Sequence, residues 1–193
     1  MTNKKLNIGC GCDIREGWVN IDKYKSEGVN VVLDLEKKGI LSVFKKNSVD
    51  YIYTSHFLEH IHNTDEVFLD CLQILKHNGI FEIILPHCSR VKTYTLYHKR
   101  EFCSYAFDEL LDKESSSKSL QTIRPHDNCY LILLERELVW LNKPKNILLK
   151  GLNKLVGTII NFSPFIQNIV ENYLCYYIGG LREFRIKFKV VKK

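Results

Sequence analysis

Lys5-Leu6-Asn7-Ile8-Gly9-Cys10-Gly11 is a short β-prone run that breaks on two glycines. Glycines at i and i+2 just after a buried strand let the main chain turn tightly, and they let a ligand lie against the backbone with no Cβ in the way. In open α/β sheets the ligand crevice lies beyond the carboxyl ends of the strands, where the topology switches. Alone, G-x-G is a weak signal. A dinucleotide fingerprint needs a third glycine, and Ile14 stands at that position. The pattern therefore points to a nucleoside without phosphates and away from nicotinamide cofactors.

Further β-prone runs follow at Trp18–Asp22, Val29–Leu35, Val49–Ser55 and Gly79–Pro86, the last opened by His77-Asn78-Gly79 as a turn. They are mostly continuous apolar runs, as expected of strands buried on both faces. Between the fourth and fifth, Asn63–Lys76 repeats Val67, Phe68, Cys71, Leu72 and Leu75 at helical spacing, with Asn63 or Thr64 as cap. Strand–helix–strand at this point is a parallel crossover. Only seven residues separate Gly11 from Val19, and six separate Asp22 from Val29. A parallel crossover normally takes about a dozen residues, so the first crossover helix is expected to be reduced to a loop or one turn. The predicted fold is α/β: a Rossmann-like, mostly parallel sheet with helices on both faces and a C-terminal antiparallel strand.

The second half is less regular. Ser89–Asp112 reads as a loop plus a helix, Ser115–Ser119 as a polar break, and Tyr130–Leu141 as a sixth strand. Lys145–Tyr177 is mostly helical, interrupted at Ser163-Pro164. Within it, Ile147–Ile169 is expected to cover the core, with a membrane-surface contact as the alternative. Arg182–Lys192 alternates Phe184, Ile186, Phe188 and Val190 with Arg185, Lys187 and Lys189, which places a half-buried strand near the sheet edge. No repeat is present, and one domain over 1–193 is expected, with a cofactor half at about 1–112 and an acceptor or cover half at about 113–193.

Composition sets bounds. The net charge of +6 favours an anionic ligand or surface without selecting one. The seven cysteines include no C-x-x-C pair, and Cys10-x-Cys12 lacks the second close pair that structural zinc needs. The odd cysteine count and the polar start MTNKKLNIG predict reduced thiols and a cytoplasmic location. The longest apolar stretch, Ile147–Ile160, is too short and too charged to span a membrane.

Besides the Gly9–Gly11 loop, three positions at or after strand ends carry chemistry. The Asp22 carboxylate can accept both ribose hydroxyls of an adenosine. Asp34 can meet the adenine amino group while Leu35 covers the ring. Ser55-His56-Phe57-Leu58-Glu59-His60 follows the fourth strand, where the reactive end of the cofactor would lie.

The run LNIGCG…GWVNID…VVLDL…SHFLEHI…LKHNGIFEIILPH resembles the class I S-adenosylmethionine-dependent methyltransferases, in particular a small branch carrying these motifs in this order. The resemblance covers roughly residues 5–103. It implies S-adenosylmethionine as cofactor and S-adenosylhomocysteine as product. Asn7, Gly9, Cys10 and Gly11 would line the methionine and ribose part, Asp22 the ribose, Asp34 and Leu35 the adenine, and Ser55 and His56 the sulfonium. Many of these enzymes carry an acid where Asn7 stands; an amide still hydrogen-bonds but forgoes the charge.

Methyl transfer from a sulfonium mainly requires alignment and exclusion of water, with a base where the acceptor is a hydroxyl or amine. Candidate catalytic residues are His56, Glu59, His87 and His98, while His60 reads as structural. No metal is expected, since adjacent Glu59 and His60 cannot fill a coordination shell. Tyr94, Tyr97, Lys99, Arg100, Phe102, Arg124 and His126 form either an acceptor pocket or a surface cover. The expected acceptor is a small molecule or a glycan-type compound. The alternatives are a cofactor-binding but inactive partner module, and methylation of RNA or protein. Nucleic acid is disfavoured because Ser55-His56-Phe57 replaces the N-P-P-Y-like tetrapeptide of many nucleic-acid amino methylases.

Overall fold

The computed structural model describes residues 3–90, 96–111, 129–141 and 144–192. Seven strands form one sheet: β1 (Lys5–Ile8), β2 (Val19–Asp22), β3 (Val31–Val32), β4 (Val49–Ser55), β5 (Leu75–Pro86), β6 (Cys129–Val139) and β7 (Glu183–Lys192). Their order is β3-β2-β1-β4-β5-β7-β6, with β1 to β5 parallel and β7 antiparallel to both its neighbours. β1 is central: Leu6 registers with Val19 on one side and Ile52 on the other. The order reverses between β1 and β4, so the switch point lies just beyond Gly9 and Ser55.

Gly9–Trp18 contains turns and no helix, so the first crossover is a loop, as its length requires. Helix α1 (Thr64–Ile74) supplies the crossover from β4 to β5. Asn63 stands at its N-cap, but its side chain donates to the Leu35 carbonyl (3.1 Å) and caps nothing. Asp65 and Glu66 in the first turn suit the positive end of the helix dipole. The helix stops at Ile74 because β5 begins at once. His77-Asn78-Gly79, expected as a turn before the strand, lies within it, with Asn78 at φ +63°.

One sheet face is the core. Phe81 (β5), Phe184 and Phe188 (β7) are fully buried, and Phe68 of α1 stacks on Phe81 at 5.3 Å and on Phe107 at 5.0 Å. Each such ring contributes about 1.5–3 kcal/mol by leaving water. On the other face Tyr51, Glu82, Arg185 and Lys187 stay half-exposed; Lys187 pairs with Glu135 (3.1 Å) and Tyr51 donates to Glu82. There too Arg15 lies over Tyr53, and Trp18 meets Tyr51 and Tyr53 edge-on.

β7 lies near the sheet edge, as expected: it is one strand in, between β5 and β6, and β6 forms the edge. Its outer face carries ion pairs, which accounts for the alternation. One expectation is corrected. α2 (Ile147–Ile160), followed by α3 (Pro164–Ile169), does not cover the core with its apolar side. Only Ile160 of α2 is buried, while Leu148, Leu152, Leu155 and Ile159 face outward. The docking face sets two asparagines beside Val156 and Ile160. Asn153 exchanges two hydrogen bonds with the backbone of Leu141 (2.8 and 3.0 Å), and Asn161 two with that of Leu138 (both 2.8 Å), in the manner of an added strand. Ser115–Ser119 lies outside the described residues.

Candidate functional site

Gly9 and Gly11 both have positive φ (+65° and +50°), which favours glycine, and their surroundings differ. A Cβ on Gly9 would fall 2.4–2.6 Å from three carbons of Phe57, so the loop after β4 packs directly on the loop after β1. A Cβ on Gly11 would meet nothing within 4 Å. The Gly11 N–H donates to Asp22 Oδ2 (2.9 Å), and Asp22 Oδ1 accepts from the Tyr24 N–H (3.0 Å). The glycine loop and the carboxylate ending β2 are thus in contact, with Asp22 half-exposed. Ile14 packs over Gly28, tying the two neighbouring loops together.

Asn7 is buried. Its amide donates to the Asp13 carbonyl (2.6 Å) and to Asn20 Oδ1 (3.0 Å), and Asn20 in turn bonds Arg15 and Asn30. Both amide hydrogens are therefore engaged within the chain, and only Oδ1 is left for a ligand. Cys10 is buried, and burial followed by the nearby Asp22 charge pushes its thiol up. Asp34 caps its own turn through the Glu36 N–H (3.1 Å), while Leu35 belongs to the core.

Beyond β4, Ser55 is half-buried and His56 adopts φ +51°. His56 Nε2 bonds Glu183 Oε2 (3.2 Å), and its Nδ1 lies 3.4 Å from Glu59 Oε1. The Glu183 hydrogen bond first, and the Glu59 carboxylate second, raise His56 to about 9. Burial would raise Glu183, but His56 and Arg185 outweigh it and bring the carboxyl down to about 2. At neutral pH His56 is a cation between two carboxylates.

Glu59 is fully buried, and neither of its carboxylate oxygens has a hydrogen bond. Its carbonyl accepts the Lys99 N–H (2.7 Å), which brings His98 alongside: the His60 and His98 rings are 4.8 Å apart. His87, after β5, is buried. Its Nδ1 accepts the Ser89 N–H (3.1 Å), and its Nε2 lies 3.3 Å from Glu171, which also accepts from the Ser104 N–H (2.6 Å). These groups border a cavity of about 310 Å³ with Cys103 and Tyr105.

The fold thus brings Gly9–Gly11, Asp22, Ser55, His56 and His87 to one end of the parallel strands. Glu59 and His98 meet beside them, while Asn7, Cys10 and Leu35 are occupied in packing. Tyr97, Lys99 and Arg100 contact His60, Glu59, His62 and Asp65 after β4, Phe102 pairs with His87 after β5, and Tyr94, Arg124 and His126 lie outside the described residues. Sequence reasoning missed Glu183 and Glu171, 127 and 84 residues from their histidine partners His56 and His87. Glu183 carried a signal: it is the sole acid in the basic strand segment 182–193.

Comparison with known proteins bears on the domain and the fold. Residues 3–83 match the family described as a methyltransferase domain. No curated protein matches by sequence. Among solved structures, a SAM-dependent methyltransferase from Archaeoglobus fulgidus aligns with TM-score 0.52 at 17% identity, over 97% of this chain and 86% of that one. Phosphoethanolamine N-methyltransferase 1 of Haemonchus contortus, in complex with phosphoethanolamine and S-adenosylhomocysteine, aligns with TM-score 0.52 at 13% identity, over 100% of this chain and 40% of that one. The [4+2]-cyclase SpnF aligns with TM-score 0.54 at 12% identity, over 96% and 73%. At such identities these likenesses concern the fold.

Proposed function

Starting from a chain that is a class I S-adenosylmethionine-dependent methyltransferase by its family match and fold, we propose that it methylates a small-molecule or glycan-type acceptor at the carboxyl ends of β1, β2, β4 and β5. The carrying observation is the contact between the Gly11 N–H and the Asp22 carboxylate beside open space at Gly11. The loop after β1 starts no helix, so it offers no helix N-terminus for a pyrophosphate. What it offers is backbone and one carboxylate, which suit a phosphate-free adenosine.

S-adenosylmethionine supplies the methyl group on a sulfonium that departs as a neutral thioether. The chain supplies the rest. Each Asp22 oxygen holds one backbone N–H and keeps a lone pair for a ribose hydroxyl. Phe57 against Gly9 fixes the two loops that flank the crevice. His56 holds both ring protons at neutral pH and turns them toward Glu183 and Glu59, so it takes no proton from the acceptor. The cavity of about 310 Å³ beside His87 has the size of a small-molecule pocket. The residue roles of Asp34 and Ser55 at the adenine and the sulfonium belong to the same reading, within a single domain over 1–193.

Calorimetry with S-adenosylhomocysteine tests it. Wild type should bind, and Asp22→Ala should bind at least about tenfold more weakly, the loss of one charge-assisted hydrogen-bond pair. Absence of binding by both S-adenosylmethionine and S-adenosylhomocysteine to the folded wild type would refute the proposal. S-adenosylhomocysteine release measured across sugars, small phenols, RNA and peptides then assigns the acceptor class.

A further inference from the structure

We propose that Glu59, His60 and His98 form a site for a first-row divalent metal ion. Adjacent Glu59 and His60 are too few ligands for a shell, but the fold adds His98 from a segment 38 residues further on. One donor atom from each lies within 4.8 Å of the others. Two donors on one ion at about 2.0–2.3 Å stand at most about 4.6 Å apart, so small side-chain rotations close the shell.

Three observations indicate a cation. Glu59 is fully buried and neither carboxylate oxygen accepts a hydrogen bond; His56, 3.4 Å from Oε1, is the cation beside it, and Oε2 is left without a partner, which is costly at a buried site. His60 Nδ1 faces the Tyr97 carbonyl at 3.1 Å. A carbonyl only accepts, so Nδ1 carries a proton and Nε2 is the ring atom turned toward Glu59. Nε2 lies 3.8 Å from Glu59 Oε1, beyond hydrogen-bond length and far enough for one ion to be held between them. An imidazole that donates its far N–H to a backbone carbonyl is the usual support of a metal-ligating histidine. Finally, His98 Nδ1 is buried without a hydrogen-bond partner. Two imidazoles and one carboxylate with further positions open suit Mn²⁺, Fe²⁺ or Zn²⁺ better than Ca²⁺. His60 is 40% exposed in its side chain, which gives an entry path. The ion would also staple the Tyr97–Arg100 segment to the turn after β4, where the Glu59 carbonyl, the His62 carbonyl and Asp65 already hold it.

The test uses chelator-treated full-length protein and Mn²⁺ alone, followed by electron paramagnetic resonance of the free ion and by thermal unfolding. No cofactor or acceptor is present, so the outcome is independent of the proposed reaction. One saturable equivalent should bind and raise the melting temperature. His60→Gln and His98→Ala, both at positions less buried than Glu59, should each weaken binding at least tenfold, and His62→Ala should not. Absence of saturable binding up to millimolar Mn²⁺ would overturn the site. So would unchanged binding in a folded His60→Gln/His98→Ala double variant, judged by circular dichroism.

A second observation stands apart from this site. The outward stripe of α2, Leu148, Leu152, Leu155 and Ile159, continues into exposed Phe162 and Phe165. From Leu138 to Val170 the chain has no acidic residue, and it carries Lys143, Lys145, Lys150 and Lys154. No described helix is long and apolar enough to cross a membrane. An apolar stripe on a helix whose own charges are all lysines, with Glu135 and Glu137 lying in the groove on its sheet side, fits an anionic lipid surface on which the helix lies flat, whereas a second copy would bring lysines against lysines. We infer that α2 docks on anionic membranes. Vesicles of phosphatidylcholine with 30% phosphatidylglycerol should co-sediment the protein, pure phosphatidylcholine should do so much less, and Leu155→Glu should abolish the binding. Equal binding to both vesicles, no binding to either, or a dimer in light scattering that Leu155→Glu dissociates would refute it.

Discussion

Gly9→Ala and Gly11→Ala form a matched pair whose difference follows from the structure. Both residues have positive φ, so alanine costs each about 1–2 kcal/mol of backbone strain. At Gly11 the cost ends there, because the new methyl meets nothing within 4 Å. At Gly9 the methyl would fall 2.4–2.6 Å from the Phe57 ring. Forcing a methyl into a filled site costs about 1–3 kcal/mol more, so Gly9→Ala should lose about 2–5 kcal/mol in all. Urea unfolding followed by circular dichroism reads both values. Adding Phe57→Ala to Gly9→Ala should recover part of the loss, a coupling that Gly11→Ala lacks. Binding should fall the other way: Gly11→Ala stays well folded yet loses S-adenosylhomocysteine affinity, since its methyl occupies the open space. Equal destabilisation by the two substitutions, or no coupling between Gly9→Ala and Phe57→Ala, would refute the packing argument.

Asn7→Asp sets a carboxylate against the Asp13 carbonyl and Asn20 Oδ1 at a buried position. It should lower stability by about 2–4 kcal/mol in urea titration, with no gain in cofactor affinity. Glu183, held at about 2 against an ordinary 4.5, contributes stability that is fully present above about pH 4.5 and is lost as pH falls toward 2. The contribution is on the order of 3 kcal/mol, and Glu183→Gln should flatten that acid limb in pH-dependent unfolding. Asn161→Ala leaves the Leu138 backbone without its two partners. It should cost about 1–3 kcal/mol and speed hydrogen exchange at Leu138.

The half of the chain that alternates strand and turn was legible because its signals are local. KLNI, WVNID and VDYIYTS carry their own burial pattern, and Val67, Phe68, Cys71 and Leu72 mark one face of α1. Val29–Leu35 shrank to Val31–Val32 because only that pair is in register with β2, although Leu33 and Leu35 are buried beside it. The site was legible where a residue ends a strand, as at Asp22 and His56. It was opaque where partners arrive from afar: Glu183 and Glu171 are set by strand order and helix placement, which no local window contains. α2 misled for another reason. Its amphipathic period is clear, but periodicity does not say which side faces the protein, and here asparagines bind the sheet edge. Asn7 likewise sits at a ligand-binding position in the pattern, yet the missing crossover helix leaves the following loop to be held by its amide.

That same bare loop has an optical consequence. Trp18 closes it, with its ring edge-on to Tyr51 at 5.4 Å and the Arg15 guanidinium 5.2 Å from its centroid. The only other tryptophan, Trp140, hydrogen-bonds the Ile178 carbonyl near β6. With Trp140→Phe in place, emission from Trp18 becomes a single-site gauge of whether the segment after Gly11 is seated. Ligand occupancy at the crevice could then be followed in real time without a label.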